Sequence, residues 1–342
     1  IYTGEDTLSL HDALPIYMTT VATLSYKCKG IIRDAMIKSC DTLDGLPYKL
    51  HDFGSRGASS KESSILGGLA HLVNFSGTDT VLAVPAGARW YNAKDPSKII
   101  GCSIPAAEHG TICSWGRTRE IEAYRNMLRR FLGPNKVVAV VSDAYDLFNA
   151  ISNIWGDLLR DDIVNSGGVL VIRPDSGDPA TVVCKSLELL GERFGYTTNS
   201  KGYKVLPDCI RLIQGDGISY ETIGAIINAI LDSGWSLDNV AFGMGGGLLQ
   251  DVQRDDIGWC MKVSAIDIAD QWYDVYKDPA TAAYKKSKRG RMALIKEAGV
   301  YKTIRIEELG DRENLIRPIF AVGKLLVDDD FFAVRDRSGT WG

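Results

Sequence analysis

The sequence repeatedly places a short apolar run directly before a cluster of polar or glycine residues, and this pattern constrains the fold most. In GVLVIRPDSGD (168–178) the apolar run ends abruptly in Arg173 and Asp175. A buried parallel strand has this form, because helices cover both of its faces and polar residues follow at its carboxyl end. The same pattern recurs in YKLHDFGSRG (48–57), DTVLAVPAG (79–87), VVAVVSDAYD (137–146), CIRLIQGDG (209–217), VAFGMGGGLL (240–249) and MKVSAIDI (261–268).

Amphipathic helical patterns lie between several of these runs. Apolar residues repeat on one face in the segment around Ile121 and Tyr124, and again around Ile223 and Ile227. Strands and helices that alternate at this spacing predict an α/β fold with a parallel β/α barrel-like domain, whose active site lies at the carboxyl ends of the strands. Before the first of these runs, TTVATL (19–24) has the pattern of a short strand.

The chain is predicted to have two domains after a short leader. Residues 1–17 match nothing downstream and are interpreted as an unmatched leader, with a non-native cloning or sequencing scar and an edge element of the fold as the two alternatives. Residues 18–270 are assigned to the barrel-like domain. From residue 271 onward the character changes to a basic loop, followed by alternating apolar and polar residues typical of antiparallel strands. Residues 271–342 are therefore assigned to a smaller, incomplete α+β sheet domain.

The composition excludes several classes of function. A net charge of −4 gives no electrostatic footprint for nucleic acid, so small molecules are the expected partners. The seven cysteines include no C-x-x-C pair, which indicates reduced thiols and a cytoplasmic location. No apolar run approaches the roughly 18 residues of a membrane span, and the absence of Lys and Arg before Lys27 argues against a secretory leader.

A glycine-rich turn is the most specific local signal for a ligand. In VAFGMGGGLLQ (240–250) three consecutive glycines stand between a predicted strand and a helical segment, where backbone N–H groups can approach an anion closely. The pattern matches neither the Walker motif nor the dinucleotide fingerprint. It predicts phosphate binding, with a simple tight turn as the alternative.

The other strand ends supply charges but no conventional nucleophile. They offer two arginines, three aspartates and a histidine: Arg56, Arg173, Asp79, Asp175, Asp216 and His109. His109 lies between small residues, which leaves room for a ligand, although a single histidine is more often structural. Without a Ser/His/Asp order, a pair of metal ligands or a lysine at a strand end, this set favours electrostatic chemistry on a phosphorylated sugar.

Eight motifs in this order and spacing resemble the nicotinamide phosphoribosyltransferase family, including its phage and bacterial members. They are KLHDFGSRGASS, HLVNFSGTDTV, IPAAEHGTI, VSDAYD, IRPDSGDP, NSKGYK, IQGDG and FGMGGGLLQ, and the resemblance runs from about residue 19 to at least residue 295. It implies a type II phosphoribosyltransferase with magnesium. Such an enzyme makes nicotinamide mononucleotide and pyrophosphate from nicotinamide and phosphoribosyl pyrophosphate, in NAD salvage.

The resemblance also assigns roles to individual positions. It implies catalytic roles for His109, Arg173 and Asp175, and substrate contacts for Phe53, Arg56, Asp79, Ser103, Arg173, Asp175, Gly215, Asp216, Gly245, Gly246 and Arg254. Phe53 would stack on the pyridine ring, and Asp79 would accept a hydrogen bond from the carboxamide. ATP coupling through phosphorylation of His109 would involve three basic residues, Lys277, Lys285 and Arg291. The family further implies a homodimer and a long amino-terminal segment that this sequence does not show.

Three other functions remain open from the sequence. A nicotinate phosphoribosyltransferase would have the same fold and would differ at the position of Asp79. An aldolase or isomerase that acts on a phosphosugar would not depend on phosphoribosyl pyrophosphate. A catalytically inactive fragment would bind the mononucleotide without turning over.

Overall fold

The computed structural model describes residues 14–93, 95, 97–253, 257–259, 262–281 and 286–339. Contacts divide the chain into two compact units. The larger comprises residues 17–257 together with the C-terminal segment from Asp330, and the smaller is formed mainly by residues 258–329. No helix in the described ranges is both long enough and apolar enough to cross a membrane. The domain limits expected at residues 17 and 270 stay a prediction.

The larger unit is built around a parallel sheet. Its first eight strands are β1 (Leu50–Asp52), β2 (Ala106–Ala107), β3 (Val137–Val141), β4 (Val169–Arg173), β5 (Thr197–Thr198), β6 (Lys204–Val205), β7 (Ile210–Gln214) and β8 (Val240–Met244). Strands β5 and β6 form a separate antiparallel pair. The other six form one sheet in the order β1-β8-β7-β4-β3-β2, and every neighbouring pair is parallel.

Two further bridges connect the edges of this sheet. Asp52 pairs with Thr78 and Gly77 pairs with Cys102, both in parallel orientation. The segment from Cys102 leads into β2, so the sheet curls round through residues 77–78 to a closed ring. This arrangement confirms the predicted parallel β/α barrel-like fold. It brings the carboxyl ends of all the strands to one mouth.

Helices cover the outside of the ring. They are α1 (Leu14–Ser39), α2 (Lys61–Leu72), α3 (Ala83–Trp90), α4 (His109–Cys113), α5 (Glu120–Phe131), α6 (Leu147–Asn149), α7 (Arg160–Val164), α8 (Pro179–Phe194), α9 (Tyr220–Asp232), α10 (Gly246–Leu249) and α11 (Phe331–Gly339). Helix α6 continues into a π-helical segment, Ala150–Leu158. Local sequence sets the starts of the long crossover helices: the Asp178 side chain caps α8 ahead of Pro179, and Ser219 forms a capping box on α9.

The strands alternate between an outer and an inner face. On β3 and β4, Val138, Val140 and Ile172 are fully buried against the helices. The alternate residues Ala139 and Val171 form a small apolar cluster inside the barrel. Burial of one such side chain contributes about 1.5–3 kcal/mol, so this double-sided core fixes the strand register and with it the direction of each strand-end residue.

Three predicted strands have a different structure. TTVATL lies inside α1, where Val21, Leu24 and Cys28 are buried at helical spacing against the barrel. In DTVLAVPAG the chain turns away from the ring after Thr78 and forms α3 from Ala83, so only the residues before this run bridge the sheet. MKVSAIDI ends in an antiparallel strand of the smaller unit rather than in the barrel.

The smaller unit contains three antiparallel pairs of strands. Its strands are β9 (Ala265–Ile268), β10 (Gln271–Asp274), β11 (Met292–Glu297), β12 (Val300–Arg305), β13 (Phe320–Ala321) and β14 (Lys324–Leu325). They pair as β9 with β10, β11 with β12, and β13 with β14. The antiparallel strands predicted after residue 300 are confirmed for β12, β13 and β14, whereas residues 331–339 of the same predicted stretch form helix α11. The C-terminal helix α11 belongs to the larger unit, where the Arg335 guanidinium donates to the carbonyls of Leu72 and Ile99.

Candidate active site

A cavity of about 470 Å³ lies at the mouth of the barrel. Its walls consist of Phe53, Ser55, Arg56, Gly57, Asp79, Glu108, Arg173, Asp175, Gly215, Gly245 and Gly246. All of these except Ser55, Gly57 and Glu108 were predicted from the sequence as site residues. The residues come from six different strand-end loops, as expected for a barrel whose ligand site is built from its βα loops.

The ring of Phe53 lies across the mouth because two neighbouring strand ends have no side chains. A Cβ at Gly243 would lie 2.0 Å from the Phe53 ring, and one at Gly215 would lie 3.1 Å from it. The Phe53 backbone N–H donates to the Met244 carbonyl at 2.9 Å, which fixes the start of its loop on β8. The glycines therefore create the space for a flat aromatic surface inside the cavity.

Asp79 is held by the neighbouring strand-end segment. The Ser103 hydroxyl donates to Asp79 Oδ1 at 2.5 Å, so one oxygen of this carboxylate has a fixed direction. Both residues follow the narrow part of the ring, Asp79 after Thr78 and Ser103 after Cys102. The sequence predicted both residues as substrate contacts, and the structure places them in direct contact with each other.

His109 belongs to a charged cluster that also contains an aspartate missing from the predicted site. His109 Nε2 lies 3.0 Å from Asp143 Oδ1, and His109 Nδ1 lies 3.8 Å from Asp175 Oδ2. The other Asp143 oxygen accepts from the Asp175 backbone N–H at 3.1 Å and from the Ser176 hydroxyl at 2.6 Å. Asp143 is almost fully buried and both of its oxygens are engaged. Its position directly after β3, in VSDAYD, is the signal that could have identified it.

Arg173 is the last residue of β4 and faces the same cluster. One of its terminal nitrogens lies 3.3 Å from Asp175 Oδ2, while its Nε is buried without a hydrogen-bond partner. Because an unpaired buried donor is costly, this guanidinium is prepared for an acceptor that arrives with a ligand. Arg173 and Arg56, the two arginines predicted at strand ends, both line the cavity.

Glu108 lines the cavity and was not predicted. Its carboxylate accepts from the backbone N–H groups of Gly110 and Thr111 at 2.8 and 2.7 Å, and so caps α4. These two bonds lower the pKa of Glu108, so the residue remains ionised. The cap fixes the orientation of His109, which is the first residue of α4.

The glycine-rich turn follows β8 as expected. Gly245 has φ −94° and ψ −111°, outside the helical and extended regions, no side chain caps the turn, and α10 begins at Gly246. A Cβ at Gly54 would lie 2.9 Å from the Gly245 carbonyl, so the turn and the loop after β1 are in close contact. Both turn glycines line the cavity, while their binding of phosphate stays a prediction.

Among the other predicted residues of the larger unit, Asp216 does not line the cavity. The Asp216 carbonyl accepts from Gln214 Nε2 at 2.8 Å, directly beyond Gly215. Lys277 and Arg291 belong to the smaller unit, where the Arg291 guanidinium lies 4.9 Å from the Trp272 ring centre. Arg254 and Lys285 lie outside the described residues. Among the described residues, no group of three or more His, Cys, Asp or Glu forms a metal cage.

Comparison with known proteins identifies the family of this chain. The sequence profile of the nicotinate phosphoribosyltransferase (NAPRTase) family matches residues 48–324. The chain is 49% identical to a nicotinamide phosphoribosyltransferase from Xanthomonas campestris pv. campestris, over 91% of this chain and 67% of that protein. It is 33% identical to a nicotinamide phosphoribosyltransferase from Mycoplasma pneumoniae, over 81% of this chain and 60% of that protein.

A solved structure of a nicotinate phosphoribosyltransferase from Porphyromonas gingivalis superimposes with a TM-score of 0.42 at 17% identity, covering 77% of this chain and 59% of that one. The chain spans between 60% and 67% of the length of the two curated relatives named above. The profile match covers most of the described barrel and all of its cavity-lining residues. The chain therefore belongs to the nicotinate phosphoribosyltransferase family.

Proposed function

We propose that this chain carries the phosphoribosyl-transfer site of a nicotinamide phosphoribosyltransferase. The reaction joins nicotinamide to phosphoribosyl pyrophosphate and yields nicotinamide mononucleotide and pyrophosphate. The observation that carries the proposal is one cavity that combines the Phe53 ring, the Asp79 carboxylate and the Arg56 and Arg173 guanidinium groups. An aromatic surface, an amide acceptor and anion-binding groups are what this substrate pair requires. The names of the curated relatives support the same reaction.

Asp79 is the residue proposed to select the base. A carboxylate accepts a hydrogen bond from the nicotinamide NH₂ group, and such a charged bond contributes about 1.5–3 kcal/mol. The Ser103 hydroxyl already occupies Asp79 Oδ1, which directs the carboxylate and leaves Oδ2 as the acceptor for the amide. The same carboxylate repels the anionic group of nicotinic acid. The alternative nicotinate enzyme is therefore less well supported by this site.

Catalysis is proposed to arise from positioning and electrostatics. The pyridine nitrogen already carries the lone pair that attacks the anomeric carbon, so no strong base is required. As the C–N bond forms and the C–O bond breaks, negative charge develops on the departing pyrophosphate. Arg173, with its unpaired Nε, and Arg56 are placed to stabilise that charge, while Phe53 holds the ring in line.

Magnesium is part of the proposed reaction, and the donor set fits it. Mg²⁺ is usually held by one or two carboxylates together with substrate phosphates and water, rather than by a full protein cage. Asp175 lines the cavity and directs Oδ1 towards Gly215, while its Oδ2 contacts Arg173. Bound there, Mg²⁺ would neutralise pyrophosphate charge. Asp175 would hold it and also orient Arg173.

His109 is proposed to accept a phosphoryl group from ATP. If the Nε2–H donates to Asp143, the lone pair lies on Nδ1, on the side of Asp175. Attack by Nδ1 on the γ-phosphorus forms a P–N bond and releases ADP as the P–O bond breaks. Asp143 stabilises the positive charge on the imidazole, in the manner of a carboxylate that orients a catalytic histidine. Contributions of Lys277, Lys285 and Arg291 to binding ATP remain part of this proposal, as do a homodimer of the intact protein, a role in NAD salvage and a cytoplasmic location.

The proposal is tested by following mononucleotide formation from phosphoribosyl pyrophosphate and magnesium, with nicotinamide in one series and nicotinic acid in the other. Wild-type protein and Asp79→Asn are compared. Product from the amide alone, with a relaxed preference in the variant, is the expected result. Binding of the mononucleotide without turnover would instead identify a chain that has the pocket and lacks the catalyst. Neither turnover nor binding would contradict the proposed function.

A further inference from the structure

Asp52 is a buried carboxylate that the proposed reaction does not use. It is the last residue of β1 and its side chain has no exposed surface. Asp52 Oδ1 accepts from the Gly54 backbone N–H at 2.7 Å. The other oxygen, Oδ2, lies near the Thr80 hydroxyl, which opposes the rise that burial causes in the pKa of Asp52, but neither atom makes a hydrogen bond of normal geometry in the described part of the chain.

Asp52 joins the two loops that form the base site. Its neighbour Phe53 supplies the aromatic surface, and its own carbonyl accepts from the Asp79 backbone N–H at 2.9 Å. On the outer side, helix α2 passes so close that a Cβ at Gly68 would lie 3.4 Å from Asp52 Oδ2. Water is therefore excluded from the carboxylate, which lies directly behind the residue proposed to contact the amide.

The charge of Asp52 is not neutralised by its surroundings. Tyr17 of α1 and Asp79 are the titratable groups that interact with it, and no ion pair with Lys, Arg or His occurs among the described residues. Burial, reinforced by the Asp79 charge, raises the pKa of Asp52 to about 6. Burial, with the Asp52 charge as a second cause, raises the pKa of Tyr17 to about 12. At neutral pH the carboxylate is mostly ionised and poorly screened.

Stability alone does not account for an aspartate here. An asparagine has the same shape, could accept from Gly54 and could donate its NH₂ group towards Thr80, whose Oγ1 is also buried without a partner. It would keep a hydrogen-bonding neighbour at both ends of its amide without burying a charge. The difference between the two side chains is the negative charge itself.

We infer that Asp52 is a specificity-determining residue whose buried charge, placed behind Asp79, strengthens the exclusion of an anionic base from the pocket. The inference rests on the proposed function. It adds a second carboxylate to the selection of amide over acid, without contact between Asp52 and the substrate. Asp79 provides the hydrogen bond, and Asp52 raises the electrostatic cost of a carboxylate in the same place.

Asp52→Asn tests this inference through a ratio. The kcat/KM for nicotinamide divided by that for nicotinic acid is measured with the same phosphoribosyl donor, so titration of the donor phosphates cancels. We expect the ratio to fall roughly three- to tenfold in the variant at about pH 7.5, as for unit charges in a partly screened site. The difference between wild type and variant should shrink as pH falls through about 6, because wild-type Asp52 then becomes protonated.

Glu120→Gln is the matched control. Glu120 is also a buried carboxyl with a raised pKa, and it accepts from the Tyr124 hydroxyl at 2.9 Å, but it does not line the cavity. Its substitution should leave the ratio unchanged. A ratio in Asp52→Asn equal to that of the wild type would overturn the inference while leaving the proposed function intact. If Asp52→Asn does not fold, the inference is tested by the pH dependence of the wild-type ratio. A wild-type ratio that does not change as pH passes through about 6 would overturn the inference.

If the chain shows no turnover, a binding measurement tests the inference about Asp52 separately from the proposed catalysis. Calorimetry with nicotinamide mononucleotide and nicotinate mononucleotide measures the same preference without chemistry. A wild-type preference for the amide that Asp52→Asn relaxes would support the inference even though the catalytic proposal had failed. No preference in the wild-type chain would overturn both.

Discussion

Buried polar groups differ in their hydrogen bonding between the two ends of the barrel. Before β1, at the amino end of the strands, Lys49 is fully buried and donates to the carbonyls of Leu237, Asp238 and Val240 at 2.6, 3.1 and 3.0 Å. At the carboxyl end of the same strand, Asp52 retains an oxygen with no partner. Only two residues thus lie between a charge with three hydrogen bonds and a charge with an open oxygen.

The same contrast holds around the ring. Five buried side-chain polar atoms in the described ranges have no partner: Asp52 Oδ2, Thr80 Oγ1, Arg173 Nε, Gln214 Oε1 and Ser186 Oγ. All but Ser186 stand at or just beyond the carboxyl end of a strand or bridge segment. At the opposite end, Arg211 donates to the carbonyls of Pro207 and Ile210 at 2.7 Å each. Side-chain hydrogen bonds are thus more complete at the amino end of the strands than at the carboxyl end, which holds the cavity.

The largest expected effect concerns the carboxyl end of the strands, where the cavity lies. Arg173→Lys removes the planar fork that can bind two oxygens at once, and should lower kcat/KM about 100-fold or more through loss of charge stabilisation on the pyrophosphate. The free energy of unfolding should change little. Steady-state kinetics and a urea titration measure the two quantities. Arg160→Lys, on the exposed helix α7, serves as the control, and equal losses in both variants would contradict the role of Arg173.

At the amino end of the strands, a substitution should lower stability and leave activity nearly unchanged. Lys49→Met removes the shared donor to three carbonyls, of which Leu237 O also accepts from the Val240 backbone N–H, and should lower the free energy of unfolding by about 2–4 kcal/mol. Activity per folded molecule should remain close to that of the wild type. Chemical denaturation gives the change, with Lys136→Met at an exposed position as the control. If the two variants were equally stable, the carbonyls would have other partners and the comparison between the ends would fail.

A smaller effect is expected at the base pocket. Ser103→Ala removes the hydroxyl that donates to Asp79, so the carboxylate loses its fixed direction. The KM for nicotinamide should rise about three- to tenfold, which corresponds to one hydrogen bond, while the KM for phosphoribosyl pyrophosphate stays unchanged. Ser176→Ala provides the contrast, because its hydroxyl donates to Asp143 on the histidine side. A larger KM for nicotinamide in Ser176→Ala than in Ser103→Ala would rule out this assignment.

The smallest expected effect is a pH dependence of the stability that Lys49 contributes at the amino end of the strands. Burial lowers the pKa of Lys49 to about 8, below the ordinary lysine value of about 10.4. Between these values the unfolded chain binds more protons than the folded one, so the contribution of Lys49 to stability grows as pH rises. The gap in unfolding free energy between wild type and Lys49→Met should therefore widen by about 1 kcal/mol between about pH 8 and about pH 9. A constant gap would show that Lys49 does not titrate in this range.

The sequence predicted the barrel and its mouth because both depend on local patterns. A run such as VLVIR followed by Pro and Asp is typical of one kind of strand, and parallel strands necessarily bring their ends together. TTVATL was misassigned because its threonines suggested alternation, whereas burial of Val21 and Leu24 against the barrel fixes a helix. The run after Asp79 was misassigned because a bridge of only two residues replaces a full strand there.

The contacts between side chains on different loops could not be predicted from local patterns. Asp143 stood in a recognised motif, but its contacts with His109 and Ser176 depend on three different loops that meet only in the folded chain. Asp52 resembled an ordinary strand-end aspartate. Its isolation becomes apparent only from the close approach of α2 at Gly68.

The narrow part of the ring has a consequence for motion. Between β1 and β2 the wall depends on single bridges at Thr78 and Cys102, with few hydrogen bonds, whereas β3 and β4 pair over five residues. Local opening should therefore occur first at this seam. Asp79 and Ser103 directly follow the two segments that form this part of the wall. A local separation of these segments would widen the entrance for the base. Arg173 would stay in place, because β4 is paired with β3 over five residues. The barrel can thus admit a flat ring by a small local fluctuation and still hold its charged groups rigid.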